Sequence, residues 1–326
     1  MTSPSLDLSI IIPSYNTKAL LHDCLASIYH STKGVSFEII CIDDNSPDGS
    51  ADMVAKSFPE VILVRNEINQ FYAKNNNLGL RMARGRYACL LNSDTLLVGD
   101  ALSNLVAFMD QHSDVASCGP KLLNPDGTIQ HCIRSFPSVG VMILQALSWH
   151  KLFPNSRWTN RYYLTTFDYS REQQVDSIGT TAYVIRREIW EQVAMLDERF
   201  QLAAVDLAYN LTLKRKGYKV YYTPSAEVIH FGSQSINQRA LRSLRDLHTA
   251  LMTLNHSYDY FSRNIFVKKL VDTAIWMRYG LKVLEYHLSA DKRVIKGPGA
   301  PRFLGRTSPP LSSQDSRVTS DGRPRV

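Results

Sequence analysis

The chain lacks a glycine-rich loop after its first apolar run. That run, residues 8–13, leads directly into Ser14-Tyr15-Asn16-Thr17, so the Gly-x-Gly-x-x-Gly fingerprint is missing. No Gly-x-x-x-x-Gly-Lys-Ser/Thr segment occurs in the sequence either. These absences argue against a nicotinamide-dependent enzyme and against a P-loop NTPase. A sugar nucleotidyltransferase is disfavoured as well, because it would need a glycine-rich, basic loop at the same place.

Cysteine is scarce and unpatterned. The five cysteines form no Cys-x-x-Cys pair, which argues against a disulfide framework. Cys41 and Cys89 lie inside apolar runs. We therefore expect buried free thiols and a reducing, cytosolic environment.

Long hydrophobic runs are also absent. The longest, residues 139–149, is interrupted by Gln145 and is shorter than the roughly 20 residues that span a bilayer. The first residues show no basic segment followed by a long apolar one, so we expect no signal peptide. These features predict a cytoplasmic protein, either soluble or peripheral on the inner face of the cell membrane.

Positive charge is concentrated at one end of the chain. Of the formal net charge of +7, the segment 291–326 supplies +5, from eight Lys/Arg against three Asp. The rest is close to neutral, whereas a nucleic-acid-binding domain would need a basic face; we expect no nucleic-acid partner. The same segment is rich in Pro, Gly, Ser and Arg, a composition that predicts a disordered tail.

Apolar runs and amphipathic segments alternate along the first 120 residues. Such alternation predicts βαβ units and a mostly parallel, Rossmann-like sheet flanked by helices, which is an α/β fold. The predicted strands are 8–13, 37–42, 61–64, 86–91 and 115–119, and the predicted helices are 20–29, 50–57, 75–83 and 101–111.

The second half is less regular. It predicts strands at 175–186 and 220–222, helices at 188–195 and 207–216, and a helical extension over 236–290. That extension has an amphipathic stripe with basic residues around it. The pattern fits either a helix on an anionic bilayer or a helix that packs its stripe on the main domain. The stripe consists of Phe261, Leu270, Ala274, Met277, Leu281, Leu284 and Leu288.

Acidic residues follow two of the predicted strands. Asp43 and Asp44 end the 37–42 strand, and Asp94 follows the 86–91 strand. In an open α/β sheet, ligands bind beyond the carboxyl ends of the strands. A single Asp there would more often be a turn or cap residue. Three acids at the ends of two strands favour a site for a nucleotide or for a divalent cation on phosphates.

Several segments, taken in order, resemble the GT-A fold family 2 glycosyltransferases. They include IIIPSYN, CIDDNSPDGS, LLNSDTLL, GPKLLNPDGT, MLDERF and EVIHFGSQS. The resemblance covers residues 8–235 and is closest to the bacterial rhamnosyltransferase-like branch, which builds cell-surface polysaccharides. It implies a catalytic domain over 6–235, with a nucleotide-binding half at 6–125 and an acceptor half at 126–235.

The resemblance implies roles for five residues around the donor. Pro13 and Tyr15 match residues that pack on the nucleotide in similar enzymes, and Asp44 matches the acid that bonds the pyrimidine. Asp94 matches the last acid of a DxD-like motif that holds Mg²⁺ or Mn²⁺ on the diphosphate. His230 matches a histidine near the diphosphate, and we predict that it is a second metal ligand.

Asp206 matches the general base of the family's Glu-Asp motif. From the sequence alone it also fits a helix N-cap. Three positions depart from the family pattern: Val205 stands where the Glu precedes the base, Ala208 where an acid is usual, and Phe71 where a Gly is usual.

The resemblance therefore implies an inverting glycosyltransferase. Its donor would be a nucleotide-diphosphate sugar, dTDP-rhamnose or a UDP-sugar, and its acceptor a hydroxyl of a saccharide or polyprenyl-linked saccharide. The alternative is a non-catalytic nucleotide-sugar-binding or scaffold protein of a polysaccharide assembly complex. Asp206 favours the enzyme, whereas Val205 and Ala208 favour the scaffold.

Overall fold

Strands and helices alternate through the first 111 residues, apart from two successive strands within residues 87–98. A computed structural model describes residues 6–136, 138–141, 164, 166–232 and 240–288. Its first elements are β1 (Leu8–Ser14), α1 (Lys18–Ser31), β2 (Phe37–Asp43), α2 (Ser50–Ser57), β3 (Ile62–Arg65), α3 (Phe71–Met82), β4 (Tyr87–Leu91), β5 (Thr95–Val98) and α4 (Ala101–Gln111).

Shorter strands and longer helices follow. They are β6 (Val115–Leu123), β7 (Ile133–Arg134), β8 (Gln173–Gln174), β9 (Ser177–Ile178), β10 (Ala182–Arg186), a π-helical turn (Ile189–Val193), α5 (Val205–Arg215), β11 (Lys219–His230), α6 (Ala240–Ser257) and α7 (Ile265–Leu288). The predicted α/β class is confirmed.

The described strands form a nine-stranded sheet with the order β3-β2-β1-β4-β10-β6-β11-β5, and β8 pairs with β11. The strands β1, β2, β3 and β4 are mutually parallel. The neighbouring β10 is antiparallel to both β4 and β6, and β11 is parallel to β6. The described sheet is therefore mostly parallel, with β10 reversed near its centre and with β5 and β8 reversed beside β11.

Both faces of the sheet are covered, which explains the continuous apolar runs. Ile10 and Ile12 of β1 share a core with Leu25 of α1. Ile11, between them, points to the opposite core, where it lies against Gly79 of α3 and shares a cluster with Leu80. Side chains alternate along a strand, so a run that is apolar at every position must be buried on both sides.

Three sequence predictions of the second half are wrong in detail. The predicted strand 175–186 is divided, because β9 pairs with β7 while β10 pairs with β4 and β6. The predicted helix 188–195 is a π-helical turn, in which the Ala194 N–H donates to Ile189 O. The strand predicted at 220–222 is twelve residues long. A register shift between Thr223 and Glu227 accommodates Pro224, which hides this continuity in the sequence.

The helical extension is present as two helices, α6 and α7, that pack against each other. Leu254 of α6 and Val271 and Ile275 of α7 are fully buried and belong to the same core as the α5 face of the sheet. Ala274 of the predicted stripe is buried too, while Leu270 and Met277 are exposed. The tail 291–326 lies outside the described residues, and the domain boundaries stay predictions.

Two helical glycines provide a test of this packing. A Cβ at Gly79 in α3 would collide with Ile11 Cγ2, whereas a Cβ at Gly280 in α7 would meet nothing within 4 Å. We expect Gly79→Ala to destabilise the fold by about 1–3 kcal/mol through overpacking. Gly280→Ala should stabilise it by about 0.5–1 kcal/mol through helix propensity. Chemical denaturation measures both, and equal effects would contradict the packing described.

Candidate active site

A cavity of about 410 Å³ opens at one edge of the sheet. The carboxyl ends of β1, β2, β4 and β11 reach this edge because those strands run in one direction. The reversed β10 brings its amino end to the same edge, together with Thr180 and Thr181. All six site residues predicted from the sequence line the cavity: Pro13, Tyr15, Asp44, Asp94, Asp206 and His230. Their individual roles stay predictions.

Asp94 and His230 face each other at the centre of the edge. His230 Nε2 lies 3.3 Å from Asp94 Oδ1 and 3.4 Å from Asn92 Nδ2. Both side chains are largely buried, with 13% of each exposed. The pairing follows from the sheet, because His230 ends β11 opposite Thr95, the residue after Asp94. The structure thus brings together two residues separated by more than a hundred positions.

The turn that carries Asp94 is fixed by hydroxyl groups. Ser14 Oγ lies 3.0 Å from Thr17 Oγ1, which lies 2.9 Å from Ser93 Oγ. On the other side, the backbone of Asp94 accepts a hydrogen bond from the Phe231 N–H. All three hydroxyl residues are buried. This support from β1 and β11 gives the carboxylate a defined direction into the cavity.

Asp44 has a structural role that the sequence analysis did not identify. Its carboxylate accepts hydrogen bonds from Asn66 Nδ2 (2.9 Å) and from the backbone N–H groups of Gln70 (2.7 Å) and Phe71 (3.1 Å). The residue is only 2% exposed. It therefore organises the loop before α3 as well as lining the cavity.

Phe71 occupies a left-handed backbone conformation, with φ of 64°. This conformation explains why glycine is usual at this position in similar proteins, since a side chain there costs free energy. The Asp44 carboxylate holds the Phe71 N–H, and the guanidinium of Arg242 lies 5.1 Å from the centre of the Phe71 ring. The ring also lines the cavity, so this departure adds an aromatic wall to the site.

Asp206 is the second residue of α5, and Ala204 occupies the N-cap position, so the N-cap interpretation is wrong. Its Oδ1 accepts the Leu207 N–H at 2.8 Å. Burial raises the pKa of Asp206, and the charge of Arg134 offsets part of this rise. Ala204, with φ of 59°, makes the sharp entry into the helix. A carboxylate with a raised pKa, open to a cavity, is suited to accept a proton.

The two substituted positions beside Asp206 differ in kind. Val205 lines the cavity, so the missing Glu removes a charge from the site itself. Ala208 is fully buried in the core below the sheet and does not line the cavity. Only the change at Val205 alters the surface that a ligand meets.

The cavity is acidic. Among its lining residues, within the described part of the chain, there are three Asp and one His but no Lys or Arg. A diphosphate would be repelled here unless a cation joined it. The described residues hold no group of three or more metal-ligating side chains. Asp94 and His230 offer two, which fits an Mg²⁺ or Mn²⁺ ion that completes its shell with substrate phosphates.

Sequence reasoning missed Tyr72, Thr180 and Thr181 as cavity residues. The Tyr72 hydroxyl donates to Thr180 O at 2.7 Å, which links α3 to the start of β10. The reversal of β10 brings the two threonines here, and no local pattern signals that reversal. For Tyr72, the sequence offered one indication of a place in the cavity: it directly follows Phe71, which departs from the family pattern.

Comparison with known proteins agrees with this fold. Among solved structures, GalNAc-T7 crystallised with UDP, GalNAc and Mn²⁺ superposes with a TM-score of 0.53 at 16% identity. The match covers 69% of this chain and 43% of that one. The fold is that of the GT-A glycosyltransferases. The model of glycosyl transferase family 2 matches residues 9–192, more than half of the chain. The chain belongs to that family.

Curated relatives are distant bacterial proteins. O-antigen biosynthesis protein RfbC of Myxococcus xanthus is 25% identical over 70% of this chain and 17% of its own length. An N-acetylglucosaminyl-diphospho-decaprenol L-rhamnosyltransferase of Mycobacterium tuberculosis is 24% identical over 70% of this chain and 77% of its own. The chain spans less than half the length of the first relatives that it matches.

The bonds of Asp44 predict that its replacement affects both folding and binding. Asp44→Ala leaves the partly buried backbone N–H groups of Gln70 and Phe71 without this acceptor. It should therefore lower the free energy of unfolding by about 1–3 kcal/mol. It should also weaken the binding of UDP or dTDP. Asp44→Asn retains one acceptor oxygen and should lose less stability. Thermal denaturation and calorimetric titration separate the two effects; an unchanged stability in Asp44→Ala would contradict the loop-organising role.

Proposed function

We propose that this chain is an inverting glycosyltransferase. It moves a sugar from a nucleotide-diphosphate donor, dTDP-rhamnose or a UDP-sugar, to a hydroxyl of a saccharide or polyprenyl-linked saccharide in cell-surface polysaccharide synthesis. The observation that carries the proposal is the position of Asp206, a partly buried carboxylate on the same cavity as Asp44 and Asp94. The acceptor named in the mycobacterial relative, a diphospho-decaprenol sugar, supports the acceptor class.

The proposed reaction gives each of these groups one role. Asp206 accepts the proton of the acceptor hydroxyl while the hydroxyl oxygen attacks the anomeric carbon of the donor. The bond from that carbon to the diphosphate breaks on the opposite face, and the configuration inverts. A divalent cation held by Asp94 and His230 would neutralise the charge on the departing diphosphate. Pro13, Tyr15 and the loop organised by Asp44 would hold the nucleotide.

The scaffold alternative has one observation in its favour, the apolar Val205 beside Asp206. A binding protein, however, does not need a partly buried carboxylate whose pKa is raised by loss of solvent. Burial of that charge lowers stability at neutral pH, a cost that proton transfer explains and simple binding does not. Turnover with any donor therefore decides between the two functions.

Asp206→Asn tests the base directly. Transfer should fall by about 10²–10⁴-fold, because the amide cannot accept the proton, while donor affinity should barely change. Stability should move in the opposite direction. When the pKa of a carboxyl group is raised in the folded state, the protein becomes less stable as the pH rises through that pKa. The variant should thus be more stable than the parent at neutral pH, and the difference should shrink as pH falls towards the ordinary carboxyl range.

The exposed Asp100, at the start of α4, supplies a matched control. Asp100→Asn should leave turnover unchanged, because this side chain is exposed and does not line the cavity. Turnover by Asp206→Asn close to that of the parent protein would reject the base, and a parent protein without turnover on any donor would favour the scaffold function.

A membrane surface is part of the proposed function. None of the described helices is long and apolar enough to cross a bilayer. Helix α7 nevertheless exposes an apolar stripe. It differs from the stripe predicted from the sequence, because it includes Phe266 and leaves out Phe261 and the buried Ala274. Its members are Phe266, Leu270, Met277, Leu281, Leu284 and Leu288. These positions are three, four or seven residues apart, so they share one helix face. The exposure is large, reaching 79% at Phe266 and 77% at Leu288.

The occupant that fits this stripe is an anionic bilayer. The sequence directly beyond α7, residues 291–326, carries +5. An apolar helix face combined with a basic segment gives two membrane signals, which together produce stable anchoring. A polyprenyl-linked acceptor is itself held in a membrane, so membrane contact would bring the chain to the surface that carries its proposed acceptor.

Vesicle sedimentation tests the membrane contact. The full chain should bind vesicles with phosphatidylglycerol better than neutral ones, and salt should weaken binding. Replacing both Phe266 and Leu284 with Gln should reduce binding at least tenfold. Ile68→Gln, a change at another exposed apolar residue (65% exposed), should have no effect. A stripe-dependent dimer in light scattering, without vesicle binding, would mean that a second copy covers the stripe.

A further inference from the structure

The Asn-Pro-Asp-Gly segment, a turn signal in the sequence, closes a hairpin beside the cavity. The Gly127 N–H donates to Asn124 O at 2.9 Å, and Gly127 takes the left-handed conformation with φ of 81°. Pro125 is the second residue of this turn, a position that favours the fixed φ of proline. Beyond the turn, the Gln130 N–H donates to Leu122 O at 2.8 Å. This hairpin, residues 122–130, brings the Gln130 side chain against His230.

Hydrogen bonds within the hairpin have a fixed direction. Thr128 Oγ1 donates to Asp126 Oδ1 at 2.6 Å, which uses its single proton. It can therefore only accept from Asn124 Nδ2, at 2.9 Å. The amide oxygen of Asn124 is then turned towards Gln130, whose Nε2 donates to it at 3.0 Å. Hydrogen bonds from Thr128 also lower the pKa of Asp126. The series of hydrogen bonds therefore begins at a carboxylate, which can only accept.

The direction of this series of hydrogen bonds determines which nitrogen of the His230 ring carries the proton. Gln130 Nε2 also donates to His230 O at 3.2 Å, so two acceptors hold the amide in one orientation. Its Oε1 lies 2.7 Å from His230 Nδ1. A carboxamide oxygen cannot donate, and Nδ1 must therefore carry the proton. The other nitrogen, Nε2, faces Asp94 and Asn92 across the cavity.

We propose that the 122–130 hairpin is a positioning element, in which Gln130 keeps the proton of His230 on Nδ1 and directs Nε2 towards Asp94. The ring state is a property of the protein alone. Its consequence for a cation between His230 and Asp94 rests on the proposed function. Partners that bond the outer nitrogen of a metal-binding histidine commonly change metal affinity by about 10–100-fold. Gln130 is thus a positioning residue, which does not itself touch the substrate.

Three variants separate positioning from simple packing. Gln130→Leu keeps the bulk of the side chain but cannot accept from Nδ1. Gln130→Glu still accepts from Nδ1 although it loses both bonds that Nε2 donates. Gln173→Leu serves as the control, because Gln173 also bonds a backbone oxygen through its amide, at Asp168, on β8 and away from His230.

The first measurement is ¹⁵N NMR of the metal-free, histidine-labelled protein. The parent protein, Gln130→Glu and Gln173→Leu should show a proton on His230 Nδ1, protected from exchange. Gln130→Leu should lose that protection or move the proton to Nε2. A parent protein whose Nδ1 carries no proton would overturn the inference, and so would an unaltered ring in Gln130→Leu.

The second measurement is Mn²⁺ affinity in the presence of UDP, followed by the electron paramagnetic resonance of free Mn²⁺. Gln130→Leu should bind Mn²⁺ about tenfold more weakly than the parent, and Gln130→Glu should restore the affinity. Equal affinities with an altered ring would overturn the link to the cation. A parent protein that binds no Mn²⁺ would instead remove the metal from the proposed function, while the ring measurement still decides whether Gln130 positions His230.

Discussion

The shared edge of the sheet is the constraint on which the site depends. Parallel strands end on the same side, so the ends of β1, β2, β4 and β11 deliver their polar residues to one cavity. The reversed β10 completes that edge with its amino end instead of its carboxyl end. Asp94 and His230 meet because β5 and β11 pair next to this edge. A one-residue slip in that pairing would turn His230 to the other face, so the backbone ladder and the polar pair specify each other.

The charge of the cavity determines what it can bind. Three aspartates with no lysine or arginine among the lining residues of the described chain would repel a lone diphosphate. A phosphate site of the P-loop type solves this problem with backbone N–H groups and a lysine. Here the first strand ends without glycines, and the Asp44 carboxylate already accepts the N–H groups of Gln70 and Phe71. The absence of a glycine-rich loop and the presence of the Asp94–His230 pair are thus consistent with each other, and both fit the proposed use of a divalent cation.

The sequence predicts those parts of the molecule whose signals are local. Apolar runs gave β1, β2 and β4, and their ends located Asp44 and Asp94 at the correct edge. The reversal of β10 and the length of β11 were not predictable, because pairing partners far apart in the chain determine them and Pro224 interrupts the pattern. The bonds of Asp44 and the contact of Gln130 with His230 escaped for the same reason. The family resemblance identified Asp206 as a site residue. From the sequence alone, Asp206 would have been taken for a helix N-cap, whereas it lies inside α5.

The cavity also concentrates local free-energy costs. Of the six non-glycine residues with positive φ among the described residues, Phe71 lines the cavity, while Asn16, Asn45 and Ala204 directly adjoin residues that line it. Asparagine tolerates this conformation, but Phe71 and Ala204 lack the short polar side chain that stabilises it. Asp206 adds a partly buried charge with a raised pKa. Such costs persist only where the surrounding structure compensates for them, and here the two cores on either face of the sheet do so. Strained residues cluster at functional sites in many proteins, so the clustering of these costs around one cavity supports the proposed function of that cavity.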